Sequence, residues 1–270
     1  MQLVDIGLNL AHPRFQEDLD QVVARARAAG VVAAVLTGTS VPDSAAVAAL
    51  ARRFPGWAFP TAGVHPHQAD TLDPSGLDRL RALAAAPGCV AVGECGLDFE
   101  RDFSPRPAQE AAFEAQLALA AELGRPVFLH QRGAWGRFAA ILGPWIPRLP
   151  AAVLHCFTEA PDRARAALDL GCKLGITGWI CDERRGGPLR EAVAALPLDR
   201  LMIETDAPYL SPRDITAQAV PGLSRARLLR RNEPAALPWI CEAVAHCGGW
   251  TPAAVAEAST ATARRVFGLG

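Results

Sequence analysis

"CVAVGECG", Cys89–Gly96, is a run of small and apolar residues with a single carboxylate, Glu94, set near its end. An apolar run without polar alternation reads as a strand covered on both faces, as strands of a parallel sheet are. A carboxylate inside such a run is costly unless it is paired or holds a metal. The fold depends on whether this pattern recurs along the chain.

It recurs on both sides. Upstream lie Leu3–Leu8, Val31–Gly38 and Ala58–His65; downstream lie Pro126–His130, Ala152–Phe157, Cys172–Gly178 and Leu201–Pro208. Helical patterns separate them, over Phe15–Ala29, Asp43–Phe54, Ser75–Ala86, Ala108–Leu123, Trp135–Leu142, Asp162–Leu170 and Leu189–Leu196. Two more follow, near Ala235–Cys247 and Pro252–Val266. Eight strand–helix units predict an α/β chain folded as a single (β/α)8 TIM barrel over residues 1–270. The competing arrangement is a doubly wound open sheet. Neither GxGxxG nor GxxxxGK[ST] follows the first strand, which weighs against it.

Half of the 270 residues are hydrophobic, ample for a large core. The net charge of -1 supplies no global field for nucleic acid or membrane. Lys173 is the only lysine among 27 basic residues, so arginine placement carries more meaning than arginine number. The seven cysteines are scattered, form no CxxC pair and read as free buried thiols of a reducing compartment. Asp5, His12 and Arg14 interrupt any signal peptide, and no run reaches the roughly 20 apolar residues of a membrane span. A cytoplasmic monomer is the expectation.

In such a barrel chemistry gathers where the strands end. There the chain places His65 and His67, Glu94 and Asp98, His130, His155, and Glu204 with Asp206. A single strand-end histidine is more often a hydrogen-bonded structural residue than a ligand. Glu94, His130, His155 and Asp206 together favour a metal site, of a ligand type suited to Zn²⁺, Mn²⁺ or, with waters, Mg²⁺. Asp98 reads as a loop cap, and Glu204 as a partner of a ligand or a residue facing the helices. His12 and His246 read as surface residues. Alternation turns Cys95 and Cys156 away from their neighbouring ligands. The long segment Tyr209–Glu233 carries Arg213, Arg225, Arg227, Arg230 and Arg231. It reads either as a solvated loop or as a phosphate-contacting rim. Trp179 and Tyr209 are candidates for stacking on unpaired bases and equally for packing.

"TAGVHPH", "VAVGECGLDF", "PVFLHQR", "VLHCFT", "GITGWICDERRG", "LMIETDAPYLSPRD" and "RRNEP" together resemble the TatD family of metal-dependent deoxyribonucleases, in order and spacing across nearly the whole chain. The resemblance implies a TIM barrel of the metallo-dependent hydrolase type that cleaves phosphodiester bonds of DNA. It implies a 3'-5' exonuclease preferring single-stranded DNA or frayed ends, with RNA as a further substrate, and a role in DNA repair. It makes Glu94, His130, His155 and Asp206 the metal ligands, with Asp206 and Glu94 in the catalytic role and Mg²⁺ the leading metal. His65 and Asn9 would face substrate, with Arg230 and Arg231 on phosphates. Most of the family opens with Asp-x-His-x-His; here Gly7 and Asn9 stand at the two histidine positions. That leaves one well-supported ion and weakens a second. Two other readings stand beside this one: hydrolysis of a cyclic amide or aminoacyl ester on the same barrel, and a non-catalytic binding protein.

Overall fold

The computed structural model describes residues 1–269. Eight parallel strands follow one another around a single sheet in chain order. They are β1 (Leu3–Leu8), β2 (Val31–Leu36), β3 (Ala58–Ala62), β4 (Ala91–Asp98), β5 (Val127–Arg132), β6 (Ala152–Leu154), β7 (Cys172–Ile176) and β8 (Leu201–Ile203). The sheet nearly closes into a barrel: Leu8 bridges Ala207, Asn9 N donates to Ala207 O at 2.9 Å, and Asp206 N donates to Gly7 O at 2.8 Å. Asp5 fastens the same seam. Its buried carboxylate accepts from Thr205 N at 2.9 Å and from Thr205 Oγ1 at 2.6 Å.

The helices cover the outside. In chain order they are α1 (Leu19–Ala28), α2 (Val41–Ala51), α3 (Pro74–Ala85), α4 (Arg106–Leu123), α5 (Trp135–Leu142), α6 (Pro161–Asp169), α7 (Gly187–Ala195), α8 (Arg225–Arg230), α9 (Leu237–Gly248) and α10 (Pro252–Phe267). Strand alternation divides the core in two. Leu3, Leu36, Leu129, Leu154 and Ile203 pack against helices. Val4, Ile6, Val35, Phe128, Val153 and Met202 form a second cluster with Phe267 and Leu269 at the end of the chain.

Several strands end earlier than the apolar runs do. β8 stops at Ile203 rather than Pro208, and β6 at Leu154 rather than Phe157. The polar residues that follow leave the ladder, and Cys156 and Asp206 take left-handed backbone conformations with φ 49° and 51°. Cys156 therefore escapes strand alternation and lines the mouth of the barrel, whereas Cys95 is fully buried. The segment after Tyr209 is not a bare loop. It holds α8 and a small core of Ile215, Val220, Leu223, Leu228, Ala235 and Ala236.

Candidate metal centre

Glu94 reaches the mouth through an irregularity in β4. Gly93 pairs with Phe128 and Cys95 with the very next residue of β5, Leu129, so Glu94 bulges out of register. A bulge re-aims the extra side chain. Gly93 is required for it: φ is 137°, and a Cβ there would lie 2.1 Å from Phe128 O.

Three imidazoles converge on one oxygen of this carboxylate. Glu94 Oε1 lies 2.9 Å from His130 Nδ1, 3.1 Å from His155 Nε2 and 3.4 Å from His65 Nε2. Burial alone would raise the Glu94 pKa, but the His155 and His65 charges and the hydrogen bond from His130 hold it well below the usual carboxylate range. Burial lowers the His65 pKa. It works the same way on His130 and His155, yet carboxylates reverse it: Asp98 and Glu94 raise His130, and Glu204 and Glu94 raise His155.

A further row of carboxylates backs the imidazoles. Asp98 Oδ2 lies 2.7 Å from His67 Nε2 and 3.5 Å from His130 Nε2. Its Oδ1 accepts from the backbone of Glu100 and Arg101, so Asp98 also caps its loop. Glu204 is fully buried; Oε2 lies 3.0 Å from His155 Nδ1 and Oε1 accepts from Cys156 N at 2.5 Å. With the Glu204 carboxylate as acceptor, His155 Nδ1 carries a proton and Nε2 faces the centre.

Glu204 also accounts for Gly7. A Cβ at Gly7 would lie 2.2 Å from Glu204 Oε2, and one at Gly175 would lie 2.4 Å from Glu204 Oε1. The two glycines make the slot in which this carboxylate lies. Asn9, at the second position of that motif, points its amide at the site: Nδ2 donates to Asp206 Oδ1 at 2.8 Å. Desolvation pushes the Asp206 pKa up to about 7, with Glu94 and Glu204 adding to it against His155 and Asn9.

The donor set fits a divalent ion. One ligand atom from each of His65, Glu94 and His130 lies within 4.8 Å of the others. His130 Nε2 is buried and makes no hydrogen bond of good geometry, its nearest acceptor, Asp98 Oδ2, standing 3.5 Å away. Imidazole nitrogens that release their protons to an incoming ion, beside a charged carboxylate, suit Zn²⁺ or Mn²⁺, and the carboxylates around them suit Mg²⁺ with waters.

Asn9, His65, Glu94, His130, His155 and Asp206 all line one cavity of about 1160 Å³ at the strand ends. His12, read from the sequence as a surface residue, lines it as well, with its ring 5.5 Å from that of Tyr209. Arg230 and Arg231 do not line it. Arg231 gives both terminal nitrogens to Asp18 and one of them also to Glu233. Arg227 reaches Asp18 at 2.5 Å, and Arg225 bonds the carbonyls of Ile215 and Arg213. The arginine-rich segment is thus chiefly tied into its own fold, and Arg213 and Arg230, both exposed, remain. Lys173 sits near the start of β7, away from the mouth, which counts against a lysine-bridged centre.

His65 stands in the group with Glu94 and His130 that could hold an ion, whereas the sequence reading has it facing substrate. The doublet in "GVHPH" was its only signal. Glu204 was visible in "IETD", but its slot between Gly7 and Gly175 was not.

The family described as TatD related DNase matches residues 4–268. The chain is 53% identical over 243 residues to a protein of Edwardsiella piscicida named 3'-5' ssDNA/RNA exonuclease TatD, covering 90% of each. It is 49% identical to the protein of the same name from Klebsiella pneumoniae, covering 99% of this chain and 98% of that one. Among solved structures, a TatD homologue from Escherichia coli k12 superposes with a TM-score of 0.86 at 27% identity, covering 98% of both chains. A TatD family hydrolase from Entamoeba histolytica gives 0.88 at 22%, covering 100% of this chain and 99% of that one.

Proposed function

The chain belongs to the TatD-related DNase family, and from that premise we propose that it is a metal-dependent 3'-5' exonuclease of single-stranded DNA and RNA. The observation that carries this reading is the convergence of His65, His130 and His155 on Glu94 at the floor of an open cavity. Relatives at about half identity bear the same activity in their names.

Glu94, His130, His155 and Asp206 hold the ion in this proposal, with His65 completing the group and Mg²⁺ as the working metal. A divalent ion there supplies charge neutralisation at the phosphoryl oxygens and a more acidic attacking water. The chain's own residues do the rest. Glu94 stays ionised and holds three imidazoles in place. Glu204 sets the His155 tautomer. Asp206, with one oxygen held by Asn9, keeps Oδ2 free either to meet the ion or to take the proton of the attacking water. No duplex-reading element borders the cavity, which favours a strand end over an intact duplex.

Two features support a monomer in a reducing compartment such as the cytoplasm. The large hydrophobic side chains exposed among the described residues are only Met1, Phe103 and Tyr209, so no broad apolar patch awaits a partner. All seven cysteines are free, five of them buried.

Strands labelled at either end and incubated with Mg²⁺, Mn²⁺, Zn²⁺ or a chelator test the proposal. Early release of 3'-terminal mononucleotides, lost with the chelator and on a circular single strand, is the expected result. Rapid cutting of the circle would replace the exonuclease by an endonuclease.

A further inference from the structure

Phe103 is 67% exposed and Tyr209 47%, and both line the mouth cavity. Met1 is the only other large hydrophobic residue so exposed among the described residues. A solvent-facing phenylalanine forgoes burial, so its retention at the rim of a site calls for an occupant.

Neither residue is loosely displayed. On one side of Phe103, Asp102 takes a left-handed conformation with φ 52° and is gripped by Arg106 at 2.7 Å. On the other, Ser104 is fully buried, its Oγ 3.0 Å from Asp70 and its carbonyl accepting from Gln109 at 2.8 Å. The Phe103 ring meets His67 edge-on at 4.7 Å, and His67 bonds Asp98 beside the metal centre. Tyr209 follows Asp206 by three residues, with its backbone N donating to Asp206 O at 2.9 Å and its ring edge-on to His12.

The two tryptophans of the mouth are engaged differently. Arg163 lies over Trp135 at 4.8 Å and Arg185 over Trp179 at 4.1 Å. No cation covers either Phe103 or Tyr209 among the described residues. Edge-on contacts leave an aromatic face open, and every base offers a complementary one. Phe103 follows β4 and Tyr209 follows β8. In a barrel ordered β1 to β8 these positions are diametrically opposed, with the metal centre between them.

We infer that Phe103 and Tyr209 form a two-sided clamp that stacks the unpaired bases flanking the scissile phosphate of a single strand. This rests on the nuclease reading and extends it: the clamp selects unpaired bases without reading their identity. A paired base keeps its faces stacked on its neighbours and cannot enter.

The test is kinetic, on short single strands with Mg²⁺ or Mn²⁺, using strands made abasic at the terminal or the penultimate nucleotide. Phe103→Ala and Tyr209→Ala should each raise KM roughly tenfold on the intact strand. An abasic nucleotide should cost the unaltered chain a similar factor. The loss from Phe103→Ala and from one abasic position should not multiply, and Tyr209→Ala should pair in the same way with the other. Phe103→Trp should restore KM. Fully multiplying losses, or an unchanged KM in both alanine variants on strands the unaltered chain degrades, would overturn the clamp and leave the nuclease standing. An unaltered chain that degrades no strand with either metal would overturn the nuclease reading and the clamp with it.

Discussion

Around Asp18, three arginines and a glutamate close on one another; around Glu94, three imidazoles share one carboxylate oxygen and leave a buried nitrogen without a good hydrogen bond. The first cluster joins Arg25, Arg227 and Arg231 to Asp18, and Arg25 and Arg231 also to Glu233. It ties α1 to α8 and to the segment that follows it. Arg231 has an unpartnered Nε, but its terminal nitrogens are fully committed. The second cluster is built of groups that both donate and accept, and it opens to a cavity. Guanidinium–carboxylate pairs are always charged and geometrically matched, so they serve as fasteners. Imidazoles crowded on one carboxylate offer the nitrogen and oxygen donors that a divalent cation takes instead. Composition alone hides this difference, because both clusters are simply charged residues.

The largest effect should come from the open cluster. Glu94→Gln, His130→Ala and His155→Ala are each expected to lower kcat/KM by about a thousandfold, the scale of losing a principal transition-state contact. The barrel should still fold, since none of these side chains fills the apolar core, but His155→Ala leaves buried Glu204 without its imidazole and should lower Tm as well. Near-normal turnover at saturating metal in any of them would remove that residue from the centre.

Next in size is the closed cluster, with the opposite signature. Arg231→Ala leaves Asp18 and buried Glu233 short of a partner. Breaking a largely buried pair should cost about 2–3 kcal/mol of stability, read by denaturant unfolding. The salt dependence of strand binding should not change. A salt slope flattened by about 0.7 without loss of stability would return Arg231 to the phosphate-contacting role.

The barrel was legible in eight apolar runs, because a strand covered on both faces has no other composition available to it. Trp135–Leu142 and Leu3–Leu8 were read to the residue. The strand ends were not, because apolarity continues after the hydrogen-bond ladder stops, as at Ala207 and Phe157. Within the site, Glu94 stood out as a carboxylate in an apolar run. His65 as a member of the cluster, His12 at the mouth and the pairing of Arg231 depend on which distant residues meet, and no local spacing encodes that. Gly7 is the clearest case. In the sequence it reads as a missing ligand; in the fold it is the space that Glu204 fills.

That slot yields a smaller effect. The chain should hold one tight ion by equilibrium dialysis, with any second ion weak and hydrated, because Gly7 and Asn9 provide no imidazole. Glu204→Gln should weaken the tight ion roughly tenfold, as loss of a partner behind a ligand histidine does. Gly7→His meets Glu204 Oε2 2.2 Å from its own Cβ, so the new ring must displace the carboxylate from His155. It should therefore weaken the first ion whatever it does for a second. Two equally tight ions in the unaltered chain would show that the first strand's residues cost the site nothing.

The smallest effect separates two aspartates by the sign of their linkage to pH. The hydrogen bond from Arg231 lowers the Asp18 pKa to about 2, over a burial contribution that raises it. An aspartate in the unfolded chain titrates near 3.9. The native state therefore binds the proton more weakly, and the stability from Asp18 is present above about pH 4 and lost as pH falls through about 2. Asp5 runs the other way. Burial raises it to about 7 despite its bonds to Thr205, so its contribution is full below about pH 4 and lost as pH rises through 7. Tm measured from pH 2 to 8 should consequently fall more gently at the acid end in Asp18→Asn and more gently at the alkaline end in Asp5→Asn. Parallel curves for Asp18→Asn and the unaltered chain below pH 4 would mean that its arginines do not hold its proton affinity down, and the contrast between the two clusters would lose its electrostatic basis.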